Sequence, residues 1–202
     1  MIDLLNEEEI CDIREDVKSV LEDNDFEVDI IYRRVLGRAF DTGTGAVTRS
    51  VSDTVLKAFM GNHSAREVAN SGGILNLGDP LFMFDPRMID GFPKSDDLIL
   101  REVSNAGHLV LTQASANVTG YNTLFSTDGV QGGDLVIVQN LAQTNVDVKS
   151  VTGETTMVLK AAWTPASEPA IKFKIYRVYE IVNRIVDPIK AAYRLSAKRA
   201  GA

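Results

Sequence analysis

The side chains able to do chemistry are few, and they are scattered. There are two histidines, His63 and His108, one cysteine, Cys11, and one short acidic signature, Asp41-Thr42-Gly43. An Asp-Thr-Gly tripeptide is how a dimeric aspartic protease presents each of two carboxylates that share a proton across a two-fold axis. Here the tripeptide lies in a glycine- and threonine-bearing run, Gly37 to Arg49, where aspartate and glycine serve turn geometry. It is followed by Thr44, not by a small residue such as alanine. Asp41 is therefore read as a turn residue, and a dimeric aspartic protease stands as the alternative from a different class. The histidines have no acid-rich or cysteine-rich neighbourhood from which to build a metal site. Asp128-Gly129 and Gly132-Gly133-Asp134 do not form a phosphate loop, because no Gly-Lys-Ser/Thr follows and the next element reads as a strand. With bases, nucleophiles and ligands this thin, the expectation is no enzyme, no cofactor and no metal. The chain should work by fitting other molecules.

Charge is informative through its distribution. Residues 1–30 hold twelve acids against Arg14 and Lys18, a balance of −10, within a total of −7. Residues 171–202 hold eight bases against Glu180 and Asp187, a balance of +6. The two ends either neutralise each other within one fold or set the register of identical subunits docked head to tail. Arg33-Arg34 and the basic end offer contacts to nucleic acid, but specific single-strand binders pair a basic groove with stacking aromatics, and this chain is acidic overall. No apolar run approaches the length of about 18 residues that spans a bilayer, and Met1 to Glu7 lacks the basic start and apolar core of a secretory signal. A lone cysteine forms no internal disulfide, which suits assembly in a reducing cytoplasm.

The elements that must position these residues are mostly strands. Asn6 with Glu9 makes a capping box, and Ile10, Ile13, Val17, Val20 and Leu21 recur at helical spacing, so 1–25 reads as one amphipathic helix. Phe26, Val28, Ile30 and Tyr32 then alternate with more polar neighbours, the period of a half-buried strand. Gly37 to Arg49 reads as a polar connection, Ser50 to Met60 as the returning strand, and Gly61 to Ser64 as a turn. Leu81 to Phe84 reads as a short strand, Asp85 to Asp97 as a loop, and Leu98 to Leu100 as renewed sheet. From 101 to about 170 charges thin out to three bases and six acids. Strands are expected there at His108–Gln113, Asp134–Gln139, Val146–Val151 and Thr155–Ala161, with Thr164 to Pro169 as an exit linker. Ile171 to Val186 returns to basic, aromatic alternation. Tyr193, Leu195 and Ala197 alternate as an edge strand, favoured over an Ala-rich helix begun by Asp187-Pro188. The fold class expected is mainly β: an N-terminal helix (1–25), a β-barrel (26–100 with 172–202) and an inserted small β-barrel or sandwich domain (101–171).

Ile30-Ile31-Tyr32-Arg33-Arg34, a turn with Asp41 and Gly43, and Ser52-Asp53-Thr54-Val55 to Ala58-Phe59 follow one another, with Gly78-Asp79 before an apolar strand. Tyr176-Arg177-Val178 and the late Asp187-Pro188 followed by Tyr193-Arg194-Leu195 come after. This arrangement resembles the head-closure, or stopper, proteins of long-tailed double-stranded DNA phages. The segment Asp128 to Val136 departs from short members of that family and is similar to the entry of small barrels in virion proteins. The resemblance implies a structural neck protein of the virion, assembled in the host cytoplasm, that joins portal or adaptor to tail and continues or closes the DNA channel. It implies a six- or twelve-fold homo-oligomeric ring, with the portal or adaptor protein and the tail terminator or tail tube protein as neighbours and no membrane. A portal-binding adaptor ring is the alternative of the same class. By the same resemblance, Gly37 to Arg49 is the candidate DNA-channel loop. Its Arg38, Asp41 and Arg49 suit weak, sequence-blind contact with packaged double-stranded DNA.

Overall fold

The computed structural model describes residues 27–40, 42–43, 47–139, 145–186 and 192–200, together with Glu7, Cys11–Ile13, Glu15, Asp16 and Ser19. Strand predominates among the described residues, far from the ordinary helix-rich balance, so the chain is mainly β. The strands are β1 (Glu27–Phe40), β2 (Val47–Asn62), β3 (Pro80–Phe84), β4 (Leu98–Ser104), β5 (His108–Leu111) and β6 (Asn117–Tyr121). They continue as β7 (Leu135–Val138), β8 (Asn145–Gly153), β9 (Thr156–Leu159), β10 (Glu168–Ile171), β11 (Phe173–Val186) and β12 (Tyr193–Arg199). The chain divides into two compact units, one from Met1–Ile99 with Tyr179–Arg199, the other from Leu100–Val178 with Ala200–Ala202. The second runs past the expected exit linker, whose Glu168-Pro169 already belongs to β10. No helix among the described residues is long and apolar enough to cross a membrane.

Six antiparallel strands close a barrel in the order β4-β1-β2-β3-β12-β11, with β11 returning to β4. Closure leaves none of these strands as a free edge, which removes a template for unwanted pairing. β12 lies between β11 and β3. The alternation in Tyr193–Ala197 therefore belongs to an interior strand, not to the expected edge. The barrel core follows the period-2 pattern: Ile30 pairs across the ladder with Leu56 and Val28 with Ala58, and Ile30, Leu56 and Ala58 are buried. Edge-to-face rings fill the centre, Tyr32 on Phe84, Phe82 on Tyr179 and Phe84 on Tyr193 at centroid distances of 5.4–6.0 Å. Small Ala58 and Ala197 make room beside these rings.

Two further local features differ from the sequence expectation. The polar connection expected over Gly37 to Arg49 is mostly ladder, since β1 and β2 stay paired out to Phe40↔Val47. The turn expected at Gly61 to Ser64 is the end of β2 followed by a short helix, α1 (Ala65–Asn70). Ser64 caps it, accepting from the Glu67 N–H while the Glu67 carboxylate accepts from the Ser64 N–H, a reciprocal capping box. Of the expected N-terminal helix, the described positions within 7–19 are helical. The rest of it, including the Asn6 capping box, lies outside the described residues.

The second unit has its own core, built by Leu109, Leu111, Val118, Phe125, Val136, Val148, Met157, Trp163 and Phe173 among others. Its strands run β10-β5-β6-β9-β8-β7 and then the first part of β11. Trp163 is fully buried and donates its indole N–H to the Ala166 carbonyl at 3.0 Å. β10 lies at the end of that order and carries Pro169, which removes a ladder donor where no further strand needs one.

Three strands begin with one device. The residue just before β3, β4 and β7 is an aspartate, Asp79, Asp97 and Asp134. In each case its N–H donates to the carbonyl three residues back, at 3.1 Å, and its carboxylate accepts from the N–H of that same residue at 2.7–2.9 Å. The side chain thus closes the turn and leaves the next residue extended. Asp97 and Asp134 are fully buried, and each has an arginine beside it.

Candidate functional site

The feature that stands out is the distal part of the β1–β2 ribbon. Up to Val35 the ribbon forms barrel wall; Ile30, Tyr32, Arg33 and Val35 are all buried. Register slips between Val35 and Gly37, so Leu36 is an extra residue on β1, a bulge that twists the ribbon and ends the alternation. From Leu36 to Phe40 every residue is exposed, with Leu36 at 64% and Phe40 at 65%. A two-stranded arm therefore leaves the barrel wall at the bulge. Gly37↔Ser50, Arg38↔Arg49, Ala39↔Thr48 and Phe40↔Val47 are its rungs.

The expected site residues are placed as follows. Arg38 and Arg49 stand directly opposite one another in the ladder. Like charges in that relation destabilise a sheet. Asp41 lies outside the described residues. Arg38 makes an ion pair with Asp96 at 2.9 Å. Arg33 and Arg34, considered above for nucleic acid, are engaged within the first unit. Arg33 holds Asp53 across the ladder with two parallel hydrogen bonds of 2.7 Å. Arg34 donates to the carbonyls of Asp90 and Phe92 and sits 5.7 Å from the Tyr32 ring centre.

These contacts show how the root of the arm is fixed. The loop from Asp90 to Asp97 runs alongside β1 and is fastened to it at several points. Asp97 is the main one. Its Oδ1 accepts from the Val35 N–H at 3.0 Å, and its Oδ2 accepts from the Lys94 N–H at 2.8 Å and from the Tyr32 hydroxyl. Arg34 Nε lies 3.9 Å from Oδ2 and supplies the counter-charge. Burial, reinforced by the bond to Asp97, pushes the Tyr32 hydroxyl well above the ordinary tyrosine pKa, so it remains a donor. Arg184 donates to the Pro93 carbonyl and ties the same loop to β11. The buried Asp97 carboxylate has three donors and an adjacent guanidinium, though Arg34 Nε itself is buried without a hydrogen-bond partner; bonds of this kind hold geometry. Here the network sets the position of Val35, the last residue before the bulge.

Tyr32, Asp96 and Asp97 were not among the site residues expected from sequence, which were Arg38, Asp41 and Arg49, and Arg34 was weighed there only as a nucleic-acid contact. The available signal was the Asp96-Asp97 doublet immediately before an apolar strand, the same pattern as Gly133-Asp134-Leu135. As a whole the site offers an exposed apolar and cationic arm on a rigid root. No protein-family model matches this chain, and no curated protein is detectably similar to it in sequence.

Proposed function

We propose that this chain is a structural neck component of a tailed-phage virion. In this reading identical subunits close a six- or twelve-fold ring between portal or adaptor and tail, and the β1–β2 arms line or close the DNA conduit. The observation that carries the reading is the exposed arm with Arg38 and Arg49 opposite one another on a barrel whose strands are otherwise closed. An arm of this kind is an expensive feature for an isolated subunit, because it exposes Leu36 and Phe40 and sets Arg38 opposite Arg49 in the ladder. Contact with a dense row of phosphates offsets that repulsion. The −10 and +6 ends of the chain supply complementary surfaces for subunit register.

The test uses particles assembled with Arg38→Ala and Arg49→Ala together. The reading expects normal ring formation with altered retention of DNA in filled heads. Rings and DNA retention both unchanged would remove the arm from the conduit. A dimeric aspartic protease acting through Asp41 would instead require Asp41→Asn to abolish a specific cleavage, and the reading expects no such loss.

A further inference from the structure

The Arg38–Asp96 ion pair has a meaning beyond fastening the arm. Both side chains are about half exposed, 49% for Arg38 and 54% for Asp96, and pairs this open add little to stability. Yet the two partners are held very differently. Asp96 sits between Lys94 and Asp97, whose turn is locked by main-chain and side-chain bonds and tied to Val35. Arg38 lies beyond the bulge, on the exposed ladder opposite Arg49. A fixed carboxylate thus faces a cation on the projecting arm. At 2.9 Å from Arg38, that carboxylate is a stand-in for a phosphate.

We infer that Asp96 is a built-in competitor for the DNA backbone: Arg38 exchanges Asp96 for a phosphate when duplex enters the conduit, and returns to Asp96 when it leaves. The inference rests on the arm being the DNA contact. No bond is made or broken; one ion pair replaces another, and the freed Asp96 carboxylate is hydrated. Duplex DNA presents one negative charge per about 1.7 Å of axis, so it outcompetes a single carboxylate when close and loses once it retreats. Asp96 also repels any phosphate that approaches Arg38. Both effects lower the affinity of the arm without removing its charge, which suits a channel where DNA must pass as well as be retained.

The experiment measures binding of the full-length protein to a short mixed-sequence DNA duplex by fluorescence anisotropy, at about 50 and 200 mM salt. Four proteins are compared: the unaltered chain, Asp96→Asn, Arg38→Ala and the double variant. An exposed pair of up to about 1 kcal/mol corresponds to a tightening of roughly two- to five-fold on Asp96→Asn. Arg38→Ala should weaken binding, and Asp96→Asn should then tighten it clearly less in the Arg38→Ala background, where only the repulsion is left to relieve. Equal tightening in both backgrounds would show a general charge effect and overturn the exchange. So would no tightening while Arg38→Ala still weakens binding. If Arg38→Ala, alone or with Arg49→Ala, leaves DNA binding unchanged, the arm is not the DNA contact, and the parent reading and the exchange fall together. Melting midpoints of all four proteins separate these results from loss of fold, and Asp96→Ser repeats the test without an amide.

Discussion

Asp96 and Asp97 are neighbours in sequence, and their removal should affect stability very differently. Asp97→Ala deletes the acceptor for the Val35 and Lys94 N–H groups and for the Tyr32 hydroxyl, and it strips the adjacent Arg34 of its anion. Hydrogen bonds to a charged group contribute about 1.5–3 kcal/mol each. Three such bonds do not add, because the freed groups partly recover water. Breaking a buried charged network by removing one partner typically costs about 3–5 kcal/mol, and that is the expected loss here. With a urea dependence of about 2 kcal/mol per molar, the midpoint falls by about 1.5–2.5 M. Asp97→Asn keeps the shape but turns an amide N–H₂ toward donors, so it should recover only part of the loss. Asp96→Ala removes an exposed pair and should stay within about 0.5 kcal/mol of the unaltered protein. Urea unfolding gives the energies, and amide hydrogen exchange at Val35 and Lys94 reports the site directly. A loss under about 1 kcal/mol for Asp97→Ala, with both amides still protected, would refute the claim that Asp97 fixes the root of the arm.

Further perturbations test other parts of the account. Unfolded Tyr32 ionises near its ordinary pKa of 10.0 while the folded hydroxyl keeps its proton. The unfolded state then binds fewer protons, so stability should fall as pH rises above that value. Tyr32→Phe should flatten this slope relative to the unaltered chain, and an identical slope in urea midpoints would contradict it. Gly107 has φ of +84°, and a Cβ there would sit 2.0 Å from the Tyr121 carbonyl oxygen, so Gly107→Ala should fail to give a folded second unit. Gly129→Ala is the control: its φ is also positive, but a Cβ meets nothing, so only about 1–2 kcal/mol should be lost on thermal unfolding. Arg38→Ala with Arg49→Ala should reduce the slope of log affinity against log salt for duplex DNA by about 1.8, at 0.9 per phosphate contact. An unchanged slope would show that neither arginine meets phosphate.

Much of the barrel is legible in the sequence because its strands bury one face and the period of two survives, as in Ile30, Tyr32, Leu56 and Ala58. Legibility fails where another rule takes over. At Leu36 the bulge breaks the alternation, and beyond it Gly37 to Phe40 are all exposed, so this stretch has a loop's composition although it is paired ladder. α1 is shorter than two turns and buries none of its residues, so no helical stripe exists to detect; only Ser64 and Glu67 mark it. β6 and β10 are short: Asn117–Tyr121 contains a glycine, and β10 contains Pro169. The root of the arm is the least legible part. Its central bond joins Tyr32 to Asp97, 65 positions apart, and no local pattern links them.

The central claim is that the β1–β2 arms face the axis of a closed ring. Electron cryo-microscopy of the protein assembled with its head and tail neighbours tests it most directly. The account predicts a six- or twelve-fold ring with the tips between Phe40 and Val47 turned toward the central channel and Arg38 within reach of DNA phosphates. Tips on the outer rim, or a chain that stays monomeric or forms only a two-fold dimer beside those neighbours, would contradict it.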